Sequence, residues 1–259
     1  MLDTDLARAL DPVRLARRVG LDPDPWQADL LRSDARQSIL NCSRQSGKST
    51  TTAVLATHEA EYRPDSLILL LSPSLRQSQE LFRKVRDVRA ALGADGCPVT
   101  EESALRIELR NGSRIVCLPG KEATIRGYSG VRLLVVDEAS RVPDDLYQAV
   151  RPMLAVSGGR LVLLSTPFGM RGFFHHEWTE GGPSWHRVQV KAADCPRIPS
   201  AWLEAERALI GEWWYRQEYQ CEFVETLDQV FGYELVTDAV NPETVPLFGG
   251  WRAGDVSND

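Results

Sequence analysis

The chain has 259 residues, 43% hydrophobic and 25% charged, with 19 glycines and 15 prolines. Those proportions are ordinary for a globular protein and exclude collagen-like and disordered classes. No apolar run approaches the ~18 residues that a bilayer-spanning helix needs. The formal net charge is −6, and it is concentrated in residues 225–259, where seven acids face Arg252 alone. The first 224 residues are neutral, which gives no general signature of a nucleic-acid partner but leaves room for a local basic groove. The N-terminal MLDTDLARALDPVRL lacks the basic-then-apolar order of an export signal. Cys42, Cys97, Cys117, Cys195 and Cys221 are odd in number, widely spaced and without a Cys-x-x-Cys pair. They argue against a disulfide framework or a zinc site and for a reducing cytoplasm.

Residues 38–43 (SILNCS) predict a short strand, followed by a helix from Ser49 to about Glu61. Residues 66–72 (SLILLLS) are almost continuously apolar, as in a strand covered on both faces. Pro73-Ser74 breaks that run and opens a helix from Leu75 to about Leu92, with Leu81, Val85 and Val88 on one stripe. Asn111-Gly112 between two alternating runs signals an inserted hairpin near 105–118. Residues 132–138 and 160–167 predict two more buried strands and 186–191 another. A helix opens at Pro199-Ser200 and runs to about Glu222. Alternating strands and helices define an α/β fold with a mostly parallel sheet. Residues 225–259, interrupted by Pro242, Pro246 and Gly249-Gly250, read as an acidic linker or tail beyond a domain spanning 1–224.

Two constellations carry chemistry. Cys42-Ser43-Arg44-Gln45-Ser46-Gly47-Lys48-Ser49-Thr50 meets the phosphate-loop pattern G-x-x-x-x-G-K-[ST] except at its first glycine, replaced by Cys42. Gly47 lets successive backbone N–H groups turn towards phosphate oxygens, and the helix that follows adds its positive end. Lys48 supplies a charge to the β- and γ-phosphates, and Ser49 a ligand for Mg²⁺. The second constellation is Leu133-Leu134-Val135-Val136-Asp137-Glu138, a buried strand ending in two carboxylates. Asp137 suits Mg²⁺ and Glu138 suits the attacking water, a pairing that favours an ATP hydrolase over a nucleotide switch or a kinase.

Weaker signals stand beside them. The Gln27 amide of Trp26-Gln27 can match adenine, whereas Trp26 also suits plain core packing. Ser165-Thr166-Pro167 could sense the γ-phosphate or simply end a strand, and Arg126 stands on a Gly-bounded loop that could present it to a neighbour's phosphates. His175-His176 lack companions at ligand spacing and are assigned to structure or surface; Trp213-Trp214-Tyr215 are assigned to packing.

Together these residues resemble the ATPase domain of the large terminase subunit of tailed phages. The similarity lies in Ser43-Arg44-Gln45-Ser46-Gly47-Lys48-Ser49, Pro25-Trp26-Gln27, Val135-Val136-Asp137-Glu138-Ala139, Leu164-Ser165-Thr166-Pro167, the Arg126-Gly127 loop and Gln217–Phe223, and it covers about residues 20–231. It implies a helicase-like P-loop NTPase fold and an ATP-powered motor that drives double-stranded DNA through a portal into a capsid. The cofactors implied are ATP and Mg²⁺, the adenine motif falls on Trp26 and Gln27, and Thr166 belongs to the coupling motif. Arg44 becomes a phosphate sensor in cis and Arg126 an arginine finger in trans. The partners implied are DNA, the portal protein, the small terminase subunit and further copies of the chain in a pentameric ring, with a monomer expected in isolation. The place implied is the host cytoplasm, with no membrane. The family's nuclease domain is not expected within these residues, so the sequence reads as an ATPase-domain fragment. A helicase-like translocase and a nucleotide-dependent scaffold with lost hydrolysis are the alternatives; intact Lys48, Asp137 and Glu138 speak against the scaffold.

Overall fold

The computed structural model describes residues 2–120 and 127–225. Three helices open the chain, Leu2–Leu10 (α1), Pro12–Arg18 (α2) and Pro25–Arg32 (α3). They are short and lack a long apolar stripe, but local chemistry starts them. Pro12 occupies the first turn of α2, and the Asp11 carboxylate accepts the Val13 N–H at 3.1 Å.

The predicted alternation then follows. Gln37–Cys42 (β1) leads to Lys48–Tyr62 (α4), Leu67–Ser72 (β2) and Leu75–Leu92 (α5). Val99–Glu102 (β3), Arg106–Leu109 (β4) and Arg114–Pro119 (β5) come next, and then Val131–Asp137 (β6) and Asp144–Val150 (α6). Arg160–Ser165 (β7), Gly172–Thr179 (α7), Trp185–Val190 (β8), Ser200–Ile210 (α8) and Glu212–Glu218 (α9) complete the described order.

The eight strands form one sheet in the order β3-β4-β5-β2-β6-β7-β1-β8. From β5 to β8 every pairing is parallel, with Leu40 opposite both Leu164 and Val188. β4 runs antiparallel to β5 across the Asn111-Gly112 turn, where Gly112 has φ +83°. The exposed residues of β3 add an edge strand to that hairpin, which their polar pattern had concealed.

Side chains alternate across the central strands into two cores. Leu40, Ile68, Leu70, Leu133 and Val135 face α4 and α5, while Ile39, Leu69, Leu71, Leu134 and Val136 face α6 and α7. Burial on both faces explains why these strands read as continuous apolar runs. The helix expected from Ser200 to Glu222 is instead two helices, broken where Gly211 takes φ +80°.

β7 must enter the sheet close to β6. A Cβ on Gly159, just before β7, would lie 2.8 Å from the Arg132 carbonyl oxygen and closer still to that of Val131. Gly159→Ala should therefore destabilise the chain by about 1–3 kcal/mol, read as a fall in melting temperature; an unchanged melting temperature would show that the backbone yields freely there.

Among the described residues, no helix is long and apolar enough to cross a membrane. The expected acidic tail, from residue 226 onward, and Arg126 lie outside the described residues.

Candidate active site

Parallel strands bring the C-terminal ends of β1, β7 and β6 to one edge of the sheet, in that spatial order. Ligands of open α/β sheets bind at such an edge. The phosphate-loop strand and the acid strand are therefore not neighbours; β7 stands between them and places Ser165-Thr166 at the centre.

Residues 43–47 join β1 to α4. Cys42 is still in the strand and fully buried in the core, so that position needs a small apolar side chain and no glycine. Burial pushes its thiol up to about 12. Gly47 has φ +92°, and a Cβ there would stand 2.7 Å from the Gln27 Nε2, so conformation and space both require glycine. Gln45 is exposed and also left-handed, at φ +61°. The Ser46 hydroxyl donates to the Ser43 carbonyl at 2.9 Å, and Thr51 Oγ1 donates to the Gly47 carbonyl at 3.1 Å. The loop is thus tied internally, with the first turn of α4 opening directly from it.

The acid pair meets the loop across 88 residues of sequence: Ser49 Oγ donates to Asp137 Oδ2 at 3.4 Å. Lys48 is buried, with its Nζ 3.7 Å from Glu138 Oε1. Asp137 is buried too, and desolvation together with the charge of Glu138 pushes its carboxyl up to about 6, against the pull of Lys48. Glu138 leaves β6 in the left-handed region, at φ +50° and ψ +43°. A non-glycine residue held there costs on the order of 1 kcal/mol, a strain that redirects the second carboxylate away from the first. Ser165 Oγ donates to Glu138 Oε2 at 3.4 Å, and the Ser140 hydroxyl reaches both Ser165 Oγ at 2.7 Å and the Thr166 carbonyl at 2.8 Å. Thr166 itself is buried.

A cavity of about 450 Å³ opens over this cluster, walled by residues 47–50, Arg44, Gln45 and Glu138. Gln77 and Lys84 from α5, and Arg141 beyond β6, complete the wall. These three had no signal in the sequence, since nothing in their local pattern differs from a solvated helix or turn. A second cavity, about 320 Å³, lies between α2, the turn at 20–23 and α4, and it shares Gly47 and Thr50 with the first. Gln27 is buried in its wall, with both ends of its amide engaged: Oε1 accepts the Asp24 N–H at 2.9 Å and Nε2 donates to the Ser46 carbonyl at 3.3 Å. Trp26 is half-buried against the core and lines neither cavity.

Arg44, in the wall of the first cavity, is tied to α9. Its Nε donates to Glu218 Oε2 at 2.6 Å, at the end of α9, and this carboxylate holds the guanidinium above its ordinary range. Arg141 lies 4.0 Å from the second oxygen of Glu218, with its guanidinium over the Phe168 ring. Gln217, beside Glu218, accepts the Gly169 N–H at 3.2 Å, so one turn of α9 touches both the phosphate loop and the loop after β7. Away from this edge, His175 is buried in edge contact with Phe223 and His176 is exposed; of the three aromatics assigned to packing, Tyr215 packs on a small core, whereas Trp214 is exposed and meets Trp213 edge-on. No group of three or more potential metal ligands occurs among the described residues.

A glycine–lysine–serine loop ending one parallel strand, facing an acid pair that ends another, defines a P-loop α/β protein of the NTPase class. The family model described as "Terminase large subunit, T4likevirus-type, N-terminal" matches residues 39–238, and the chain belongs to that family. It is 27% identical over 248 residues to the large terminase subunit of Thermus virus P23-45, covering 82% of this chain and 51% of that protein. The chain thus spans about half the length of that curated relative. Its fold is similar to the large terminase ATPase domain of Thermus phage P74-26, with a TM-score of 0.69 and 23% identity over 81% of this chain and 97% of that one. It is also similar to the large terminase of a thermophilic bacteriophage solved in complex with ADP, with a TM-score of 0.63 and 15% identity over 78% and 54%.

Proposed function

We propose that this chain binds ATP with Mg²⁺ at the β1–β6 edge and hydrolyses it to move double-stranded DNA into a phage capsid. The observation that carries the reading is the meeting of Lys48, Ser49 and Glu138 at one cavity, with Asp137 bonded to Ser49 from an element 88 residues away. The ATPase domain of P74-26 and the ADP complex of the thermophilic phage terminase, which share the fold, support it.

The chemistry follows from the side chains. Gly47 and the first turn of α4 hold the phosphates, and Lys48 neutralises charge between the β- and γ-positions. A phosphate that draws Lys48 away from Glu138 frees that carboxylate to take a proton from the attacking water. The donor set fits Mg²⁺: the Ser49 hydroxyl and the Asp137 carboxylate lie together, and burial with the adjacent Glu138 charge holds that carboxyl above its ordinary range, a cost that a cation would offset. When bound, the ion would neutralise phosphate charge. Arg44 has a carboxylate partner to exchange for a γ-phosphate, and that exchange would release Glu218 and α9 from the loop. Gln27 holds the loop from the second cavity, which has the size and the partly apolar wall for a base.

The reading extends to the implied assembly: a ring of copies, pentameric when active, on the portal protein in the host cytoplasm, with the small terminase subunit as a further partner. Residues 225–259 serve as an acidic linker from the ATPase body of 1–224. In the ring, Arg126 of one copy serves the phosphates of the next. A mixing experiment tests this. The isolated chain should turn ATP over slowly, faster at higher concentration, and not at all in EDTA. Arg126→Ala and Glu138→Gln should each be nearly inactive, and their mixture should regain activity, because an intact finger then meets an intact acid. No recovery in demonstrable rings would move the finger's task to Arg44. The absence of Mg²⁺-dependent turnover at any concentration would defeat the ATPase reading.

A further inference from the structure

The phosphate loop has a second anchor, on the turn that follows the edge strand β8, about 150 residues away in sequence. Arg197 extends from that turn and is clamped by Asp24, with Nη1 to Oδ1 at 2.8 Å and Nη2 to Oδ2 at 2.6 Å. The same Nη2 donates to the Ser46 carbonyl at 3.2 Å, beside the Gln27 Nε2 at 3.3 Å. One backbone oxygen of the loop therefore accepts from two side chains, and Asp24 orients both of them: its carboxylate holds Arg197 and its N–H holds the Gln27 amide. The fork–fork geometry fixes the guanidinium plane in a way that a lysine could not.

Pinning that oxygen has a consequence for the next amide. In a trans peptide the carbonyl and the following N–H point in opposite directions. The Ser46 carbonyl is held towards Gln27 and Arg197, which both line the second cavity. The Gly47 N–H is thereby directed the other way, towards the phosphate cavity that Gly47 also lines. Gly47 itself offers little resistance to rotation, having no side chain and a φ of +92°.

We infer that Arg197, held by Asp24, is a positioning residue that presents the Gly47 N–H to the phosphates of the bound nucleotide. The role rests on the nucleotide reading above and assigns no contact between Arg197 and the reacting atoms. It differs from Arg44, which is held by one bond to Glu218 and lines the phosphate cavity; Arg197 is held by two bonds to Asp24 and grips loop backbone from the second cavity.

The test uses the full 259-residue chain, with ADP and inorganic tripolyphosphate as calorimetric probes. Arg197→Ala should weaken both by about three- to tenfold, the value of one lost hydrogen bond to a preorganised loop. KM for ATP should rise by the same factor while kcat changes less than about twofold, because the contact serves ground and transition states alike. Arg197→Lys should fall between parent and alanine variant, and Asp24→Asn combined with Arg197→Ala should cost less than the sum of the two alone. If Arg197→Ala lowers the unliganded melting temperature by more than about 2 °C, the Lys and Asn variants decide the matter. Unchanged affinity for both probes in those variants would make Arg197 a structural tether and overturn the role. Weaker ADP with unchanged tripolyphosphate would overturn it too, by placing Arg197 on the base. A parent chain that binds neither probe would defeat the nucleotide reading itself.

Discussion

Glu138→Gln should leave nucleotide affinity within a few fold of the parent and cut turnover by about two to four orders of magnitude, the usual worth of a positioned general base. The amide is isosteric and can still accept from Ser165 Oγ, now 3.4 Å from Glu138 Oε2. It cannot take a proton from water. Nor does it pair as an ion with Lys48, which lies 3.7 Å from the carboxylate in the parent, so binding has no reason to weaken. Calorimetry with the nucleotide and a single-turnover assay separate the two quantities. Turnover at the parent rate would mean that another group orients the water.

Lys48→Ala should act on the other quantity and lower affinity for Mg-ATP at least tenfold. A charge-assisted contact of about 1.5–3 kcal/mol is removed, enough for that factor or more. The site makes the loss larger than at a surface lysine. Lys48 is buried, and its charge opposes the upward shift of the Asp137 carboxyl. Without it, two adjacent carboxylates face incoming phosphates with their nearest countercharge gone. Equal affinity in variant and parent would defeat the phosphate-loop assignment.

Much of the fold was legible because its strands are buried on both faces. Continuous apolar runs such as 67–71 and 133–136 have few other uses in a chain of this composition. The hairpin was legible because Asn-Gly turns are rare outside that geometry. What escaped was whatever is too short or too polar to show a clear period. β3 is exposed along its whole length, α2 and α3 bury Val13, Leu15, Leu30 and Leu31 but are too short to show it as a period, and Gly211 breaks a helix whose apolar period runs on across it. Glu218 could be read as part of a family-like helix end, but its contact with Arg44 could not, since 174 residues separate them.

Local sequence was enough to specify the chemistry available: a glycine, lysine and serine at fixed spacing after a strand, and an acid pair at the end of another. Local backbone rules and charge suit those residues to such a setting, so candidate roles could be proposed for them without coordinates. Which distant groups gather around those residues depends on the folded chain. The insertion of β7 between β1 and β6 sets Ser165 and Thr166 at its centre, and the turn after β8 brings Arg197 to the Ser46 carbonyl. Those contacts depend on strand order and on how helices return across the sheet. Strand order is settled by the packing of two cores against one sheet, an energy summed over the whole chain and written in no local pattern.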